Sequence, residues 1–228
     1  MSTARKGRPR IVDQRRAGAT PSEEILDAAA ELFAASGFAK TSTRAIAEAV
    51  GIRQASLYHH FKTKNDILDE LLTSTVEPPL SFAQALAGVD ASPSSRMYAM
   101  SWFDTHQLLS SKWNIGVLLQ LPEARDPQFG RFYEMHTDLD RCYRRFAGDV
   151  LDAVGGVDPV RAEVLARLPF HLAETVIALR LDDAEWVSSV GTETVAHEVS
   201  VGTLRTLGVV DGLDVAVARG KALIASLG

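Results

Sequence analysis

Residues 41–61 read Thr41-Ser42-Thr43-Arg44-Ala45-Ile46-Ala47-Glu48-Ala49-Val50-Gly51-Ile52-Arg53-Gln54-Ala55-Ser56-Leu57-Tyr58-His59-His60-Phe61. Ser42 or Thr43 can cap a short helix whose inward side is Ile46, Ala47 and Val50. Ala47 is small, so a following helix can approach closely. Four residues later Gly51 supplies a position without a Cβ, which a tight inter-helix turn requires. Ile52 plugs the underside of that turn. A second short helix follows, with Leu57 and Phe61 inward. Two short helices joined at a glycine are the helix-turn-helix signature, whose second helix enters the DNA major groove. The same spacing also suits an ordinary helical hairpin.

The flanking sequence frames this stretch. Upstream, Thr20 can cap a helix that has Pro21 at its first position and Glu23 three residues on, a capping-box pattern. Ile25, Leu26, Ala29, Leu32 and Phe33 then recur on one helical face, and Gly37 closes the last turn. Ahead of it, Arg5, Lys6, Gly7, Arg8, Pro9 and Arg10 make a basic arm with helix breakers, expected to be disordered in free solution. The net charge of −5 hides an asymmetry. Residues 1–64 hold 11 Lys/Arg against 6 Asp/Glu, a balance of +5, so the remainder carries −10. A basic head on an acidic body points to an anionic partner for the head, nucleic acid first. A solvated basic tail would give the same balance.

The side chains of the head suit that partner. Arg44, Arg53, Lys62 and Lys64 can pair with phosphates. Ser56 and Tyr58 offer hydroxyls of the kind that position a protein on the DNA backbone. Gln54 stands at the start of the second helix, where side chains reach base edges, and Gln can bind adenine bidentately as Arg binds guanine. His59 and His60 belong to the same surface. Being adjacent, they point apart on a helix and do not share a metal. His60 also suits a packing or capping role.

Thr43-Arg44-x-Ile46-Ala47, then Gly51, then Leu57-Tyr58-x-His60-Phe61-x-x-Lys64 resembles the TetR family of bacterial transcriptional regulators. The resemblance covers residues 20–72. It implies an all-α fold, with a three-helix DNA-binding head, a connecting fourth helix and a larger ligand-binding, dimerising body. It further implies that Thr43, Tyr58, His60 and Lys64 mainly hold the DNA backbone. One departure stands at Arg53-Gln54, where the family often has Ser or Thr. Arg53 cannot cap by accepting hydrogen bonds, and a phosphate or base contact is the compensating reading.

The expected organisation is a basic arm at 1–19, the helix-turn-helix domain at 20–63 and the ligand-binding and dimerisation domain at 64–228. Thr63 with Asp66 opens a fourth helix striped by Ile67, Leu68, Leu71, Leu72 and Val76, and Pro78-Pro79 is expected to stop it. The body reads as helices throughout: about 94–111, a short one near 114–121, a long one from Asp126-Pro127 to Gly155-Gly156, then 159–181, 184–207 and 212–227. Trp102, Phe103, His106, Trp113, Phe132, His136 and His171 gather aromatic and imidazole groups on successive helices. Such a mixture suits either plain core or a pocket for a small, largely apolar or aromatic effector. His106 and His136 are its candidate anchors, since an imidazole can donate and accept. Pro169 interrupts one of these helices and frees the carbonyl of Leu165. The helices at 159–181 and 184–207, the latter rich in small residues from Ser188 to Thr203, read as a partner surface. In the family the corresponding pair forms a four-helix bundle in the dimer. Packing on their own body is the other reading of these helices.

Several classes fall away. No apolar run suits a transmembrane helix, and nothing after the basic arm reads as a secretory core, so no membrane association is expected. Cys142 is the single cysteine, which fits a reducing cytoplasm. Gly-rich phosphate loops, Gly-x-Ser-x-Gly and His-Glu-x-x-His are absent from the sequence, so an enzyme, a cofactor and a metal are not expected. The function expected is a homodimeric, ligand-responsive repressor bound to double-stranded operator DNA. The alternative is a constitutive DNA-binding or architectural dimer with no small-molecule ligand.

Overall fold

The computed structural model describes residues 20–121 and 126–228, so the basic arm at 1–19 lies outside the described residues. Among these, ten α-helices and no strand are present. They are α1 (Pro21–Ser36), α2 (Thr43–Val50), α3 (Gln54–His60), α4 (Lys64–Ala87), α5 (Pro93–Ser110), α6 (Gly130–Val154), α7 (Pro159–Asp182), α8 (Ala184–Val190), α9 (Thr192–Thr206) and α10 (Leu213–Leu227). Short 3-10 turns occupy Ile115–Gln120 and Pro127–Phe129. The chain forms two compact units that divide between Leu71 and Leu72. No described helix is long and apolar enough to cross a membrane.

The first unit follows its punctuation closely. Thr20 and Glu23 form a reciprocal capping box at α1, which satisfies two helix-start N–H groups. Gly37 ends that helix at φ 81°. Ser42 caps α2 by accepting from the Ala45 N–H. Gly51 adopts the left-handed conformation at φ 81°, ψ 28°, and the N–H groups of Gly51 and Ile52 both donate to the Ala47 carbonyl. A residue with a Cβ would be strained there. Arg53 precedes α3 and makes no side-chain cap. Ile25, Phe33, Phe38, Ile46, Val50, Leu57, Ile67 and Leu68 are buried in this unit.

In the second unit α5 is the hub, packed on α6, α7, α9 and α10. Its buried positions include the polar residues Ser95, Ser101, Asp104 and Thr105. Ser101 reaches Thr203 of α9 at 3.4 Å, and Tyr98 meets His197 Nδ1 at 2.7 Å.

Two sequence expectations are corrected. Pro78 and Pro79 do not stop α4, which continues to Ala87. Pro78 cannot donate to the Ser74 carbonyl, but the Gln107 amide of α5 donates to it instead at 3.1 Å, and Leu80, Phe82, Ala83 and Leu86 bury beyond the prolines. That replacement bond and packing offset the proline penalty. The helix expected at 184–207 is two helices, broken at Gly191. This residue takes φ 90°, ψ 135° and closes α8 by donating to the Val187 carbonyl. Its smallness therefore serves a turn, and a Cβ there would meet only Thr194 Oγ1 at 3.9 Å.

Gly220 is the glycine at which space decides. A Cβ on it would lie 2.5 Å from Tyr98 Cδ1 and 3.0 Å from the Ser95 carbonyl oxygen. Tyr98 is fully buried and held by His197, so it has little room to yield. Gly220→Ala is therefore expected to destabilise the second unit despite the better helix propensity of alanine, since overpacking costs about 1–3 kcal/mol and the propensity gain is about 1 kcal/mol. Urea denaturation checks this: the midpoint should fall, and an unchanged midpoint would show that Tyr98 moves aside.

Candidate nucleic-acid interface and body cluster

α3 has one buried residue, Leu57. Helical geometry then turns Ala55 and His59 toward the opposite side and Tyr58 to the flank, and all three are exposed, as is Gln54 in the first turn. On that surface three side chains meet. Gln54 Nε2 donates to Thr43 Oγ1 at 2.9 Å and to the Tyr58 hydroxyl at 3.3 Å, and Thr43 Oγ1 lies 3.1 Å from the Tyr58 hydroxyl. The start of α2 and the face of α3 are thereby tied across the turn. Beside them an open groove of about 530 Å³ is lined by residues that include Lys40, Ser42, Thr43, Tyr58 and Lys62.

The remaining head residues divide. Ser56 is exposed on α3, and Arg53 and Lys62 are exposed at its two ends. Arg44 is exposed but pairs with Glu48 at 2.8 Å, an exposed pair of small energetic weight. His60 turns away from the Gln54 face, its Nδ1 lying 3.0 Å from Ser22 Oγ of α1. Lys64 faces inward. Its ammonium donates to the Phe38 carbonyl at 2.7 Å and the Thr41 carbonyl at 2.9 Å, and sits 4.1 Å from the Phe38 ring centroid. It braces the segment between α1 and α2. Thr63 and Asp66 form a reciprocal cap directly before α4. Ser22 and Lys40 were missed in the sequence. Ser22 carries no signal until α1 and α3 are packed, whereas Lys40 could have been found as the basic residue next to Thr41.

The seven residues expected around an effector do not share one surface. Trp102 stacks on His106 at 4.4 Å, with Trp102 against the cluster of Leu108, Val176, Val187, Val195 and Ala196. Burial lowers the His106 pKa against an opposing pull from Glu193. Phe103 stacks instead on Phe82 at 4.1 Å. Trp113 lies under the Lys112 ammonium. Phe132, His136 and His171 form a third set around Phe170. A small open pocket of about 160 Å³ there is lined by His136, Thr137, Asp140, Arg167, Phe170 and His171.

Behind this pocket lies a polar cluster that the sequence reading did not include. Glu174 meets His136 Nε2 at 3.4 Å and His171 Nδ1 at 3.3 Å. Tyr143 donates to Asp104 Oδ2 at 2.8 Å and packs on Phe170. Asp104 is buried, and burial pushes its carboxyl up to about 7. The Tyr143 hydrogen bond and His136 oppose that rise, and Glu174 adds to it. Tyr143 is raised in turn by burial and by Asp104. The signal in the sequence was Asp104 itself, the one acidic residue of α5. Among the described residues no group of His, Cys, Asp and Glu has the arrangement of a metal site.

A helix-turn-helix head with a polar outer face, continued by a larger helical body, defines a class of DNA-binding regulators. The family model for bacterial regulatory proteins of the tetR family matches residues 25–71. The crystal structure of Mycobacterium smegmatis AmtR is similar over 93% of this chain and 98% of that one, at 40% identity and a TM-score of 0.83. The chain belongs to the tetR family. The transcriptional repressor KstR2 of Rhodococcus jostii RHA1 is 53% identical over 49 residues, 22% of this chain and 24% of that protein. KstR2 of Mycobacterium tuberculosis H37Rv is 35% identical over 77 residues, 34% of this chain and 38% of that protein. The chain thus spans well under half of these two repressors' length. The structure of M. tuberculosis KstR2, at 20% identity and a TM-score of 0.67, shares the fold.

Asp104 makes stability depend on pH. Between about pH 4, where an unfolded aspartate loses its proton, and about pH 7, where the folded one does, the folded chain holds the extra proton. Its contribution to stability therefore falls as pH rises through that window and is level above it. Asp104→Asn keeps an acceptor for Tyr143 and removes the titration. Thermal unfolding at pH 5 and pH 8 should show the variant gaining on the wild type as pH rises. Parallel curves would contradict the assignment.

Proposed function

We propose that this protein is a transcriptional repressor that binds double-stranded operator DNA as a homodimer and is released by a small, largely apolar or aromatic effector. The observation that carries the DNA reading is the α2–Gly51–α3 turn, which holds Leu57 inward and leaves Gln54, Ala55, Tyr58 and His59 exposed. Gln54 is assigned to base edges. Thr43, Tyr58, Ser56, Lys40 and Lys62 are assigned to phosphates, and Lys64 to bracing the head. The proposed domains are 20–63 for DNA and 64–228 for effector and partner.

The dimer surface is assigned to α7 with α8. Val160, Val164, Leu168 and Leu179 lie along one face of α7, with exposures of 73, 56, 37 and 37%, and Trp186 of α8 is 47% exposed. An apolar row of that length on a helix whose other face is already core supports a partner contact. The effector is assigned to the third aromatic set, with His136 in place of His106 as the polar anchor. His136 stands between an open pocket and Glu174, whereas His106 is stacked on Trp102. An effector releases DNA only by binding the DNA-free conformation more tightly.

DNA binding should weaken steeply with salt, because phosphate contacts release counterions. Lys62→Gln should make the slope of log K against log salt shallower by about 1 without altering sequence preference. Fluorescence anisotropy with a selected duplex measures this. A salt-independent affinity would remove the phosphate reading.

Val164→Arg combined with Leu168→Arg should convert a dimer to a monomer, as two charges per chain enter an apolar contact. Light scattering reads the mass. A folded double variant that stays dimeric would place the interface elsewhere.

A further inference from the structure

α7 carries an exposed stripe at alternating steps of three and four residues. It runs from Arg161 through Val164, Leu168, His171, Thr175 and Ala178 to Asp182, and every member is exposed. That spacing is the seam of a two-helix contact. Its ends are opposite in charge, and neither Arg161 nor Asp182 makes an ion pair among the described residues. Its halves differ in size as well, with Val164 and Leu168 in the first and Thr175 and Ala178 in the second. A two-fold contact needs a patch that fits its own copy, residue i on residue j and j on i. Antiparallel pairing supplies that fit. Arg161 of each copy meets Asp182 of the other, Leu168 meets Thr175, and Val164 meets Leu179 beside the small Ala178. Parallel pairing would set Arg161 on Arg161 and Asp182 on Asp182, and like charges oppose it.

The midpoint of Arg161 and Asp182 falls between His171 and Leu172, so the two-fold axis passes there and the two His171 rings meet across it. His171 also belongs to the pocket. Its side chain is 69% exposed in the single chain. It lines the open pocket of about 160 Å³ together with His136, Thr137, Asp140, Arg167 and Phe170, and Glu174 ties it to His136. The residue at the centre of the stripe is thus also a wall of the pocket, and a copy seated on the stripe lies over that wall.

We infer that the effector pocket is shared between the two copies: the second copy's α7, antiparallel on the first, closes its open side, and the two pockets adjoin at the axis near His171. The inference rests on the dimer and effector assignments above and specifies how they are joined. An effector bound there touches both copies, so a folded monomer lacks the complete site. Effector binding and dimerisation are then linked, because a ligand that binds the dimer and not the monomer stabilises the dimer by mass action.

The test uses the full chain with Cys142→Ser as background, so that each added thiol is the single one. Under mild oxidation His171→Cys should carry roughly half of the chain or more to dimer mass on a non-reducing gel, since residues facing across the axis come within disulfide reach. Arg161→Cys should crosslink about tenfold less or not at all, because antiparallel pairing sets its two copies about 30 Å apart along the helices. Thr137→Cys, exposed on the pocket wall, probes the closure. It should react with N-ethylmaleimide about tenfold more slowly than when Val164→Arg and Leu168→Arg are added, in salt high enough to screen the new charges. Both of those positions are exposed in the single chain, so the double variant keeps its fold. Crosslinking from Arg161→Cys, or none from His171→Cys, in protein that is dimeric by light scattering would overturn the inference while leaving the dimer intact. So would equal labelling of Thr137→Cys in dimer and monomer. A double variant that stays dimeric would remove α7 from the contact, and with it this inference. A chain that is monomeric before any substitution would overturn the dimer reading and this inference together.

Discussion

Leu57 is fully buried, and in the seven-residue helix α3 it is the one side chain with that role. A helix so short is not stable through its own hydrogen bonds. Its existence and its orientation depend on that inward contact and on the left-handed turn at Gly51. From this constraint part of the outward face follows by helical geometry: Ala55 and His59 lie opposite Leu57, and Tyr58 stands at its flank. The hydroxyl–amide triangle then fixes the rotation of α3 against the start of α2, and Lys64 braces the loop that precedes α2. The head is thus a small set of mutually dependent contacts that present a polar surface in one orientation.

The body is organised on a different principle. α5 is packed by four other helices and carries buried polar groups that find partners on them: Tyr98 with His197, Ser101 with Thr203, Asp104 with Tyr143. Gln107 relieves the break in α4 at Pro78. Buried polar bonds of this kind specify which helix meets which, because leaving any member unpaired costs about 1–3 kcal/mol. Asp104 and Glu174 place two acids close together with His136 as the nearby base. This is the part of the body whose charge can change near neutral pH, and it adjoins the surface to which the effector is assigned.

Much of the head was legible in the sequence because its signals are local. A capping box spans four residues, a left-handed turn needs one glycine, and the inward spacing of Ile46, Val50 and Leu57 lies within a dozen positions. Residue roles were less legible. Lys64 and His60 read as DNA contacts, yet each has a partner far away in sequence: Lys64 is turned inward onto the Phe38 carbonyl, and the exposed His60 meets Ser22 of α1. In the body the same gap widens. Pro78-Pro79 looks like a stop until Gln107 supplies the missing bond. Gly191 looks like a packing residue until its positive φ shows a turn. The aromatic residues of α5 and α6 separated into different sets because their stacking partners, Phe82 and Phe170, come from other helices that no local pattern specifies.

The central claim is that the outer face of α3, and no part of the body, lies against DNA. Site-specific photo-crosslinking tests it directly. A photoreactive aromatic amino acid placed at Ala55, the small exposed residue at the middle of that face, should crosslink to a selected duplex. The same group at Glu198, on the exposed surface of α9, should not. Crosslinking from Glu198 with none from Ala55, in protein that still binds the duplex, would contradict the account.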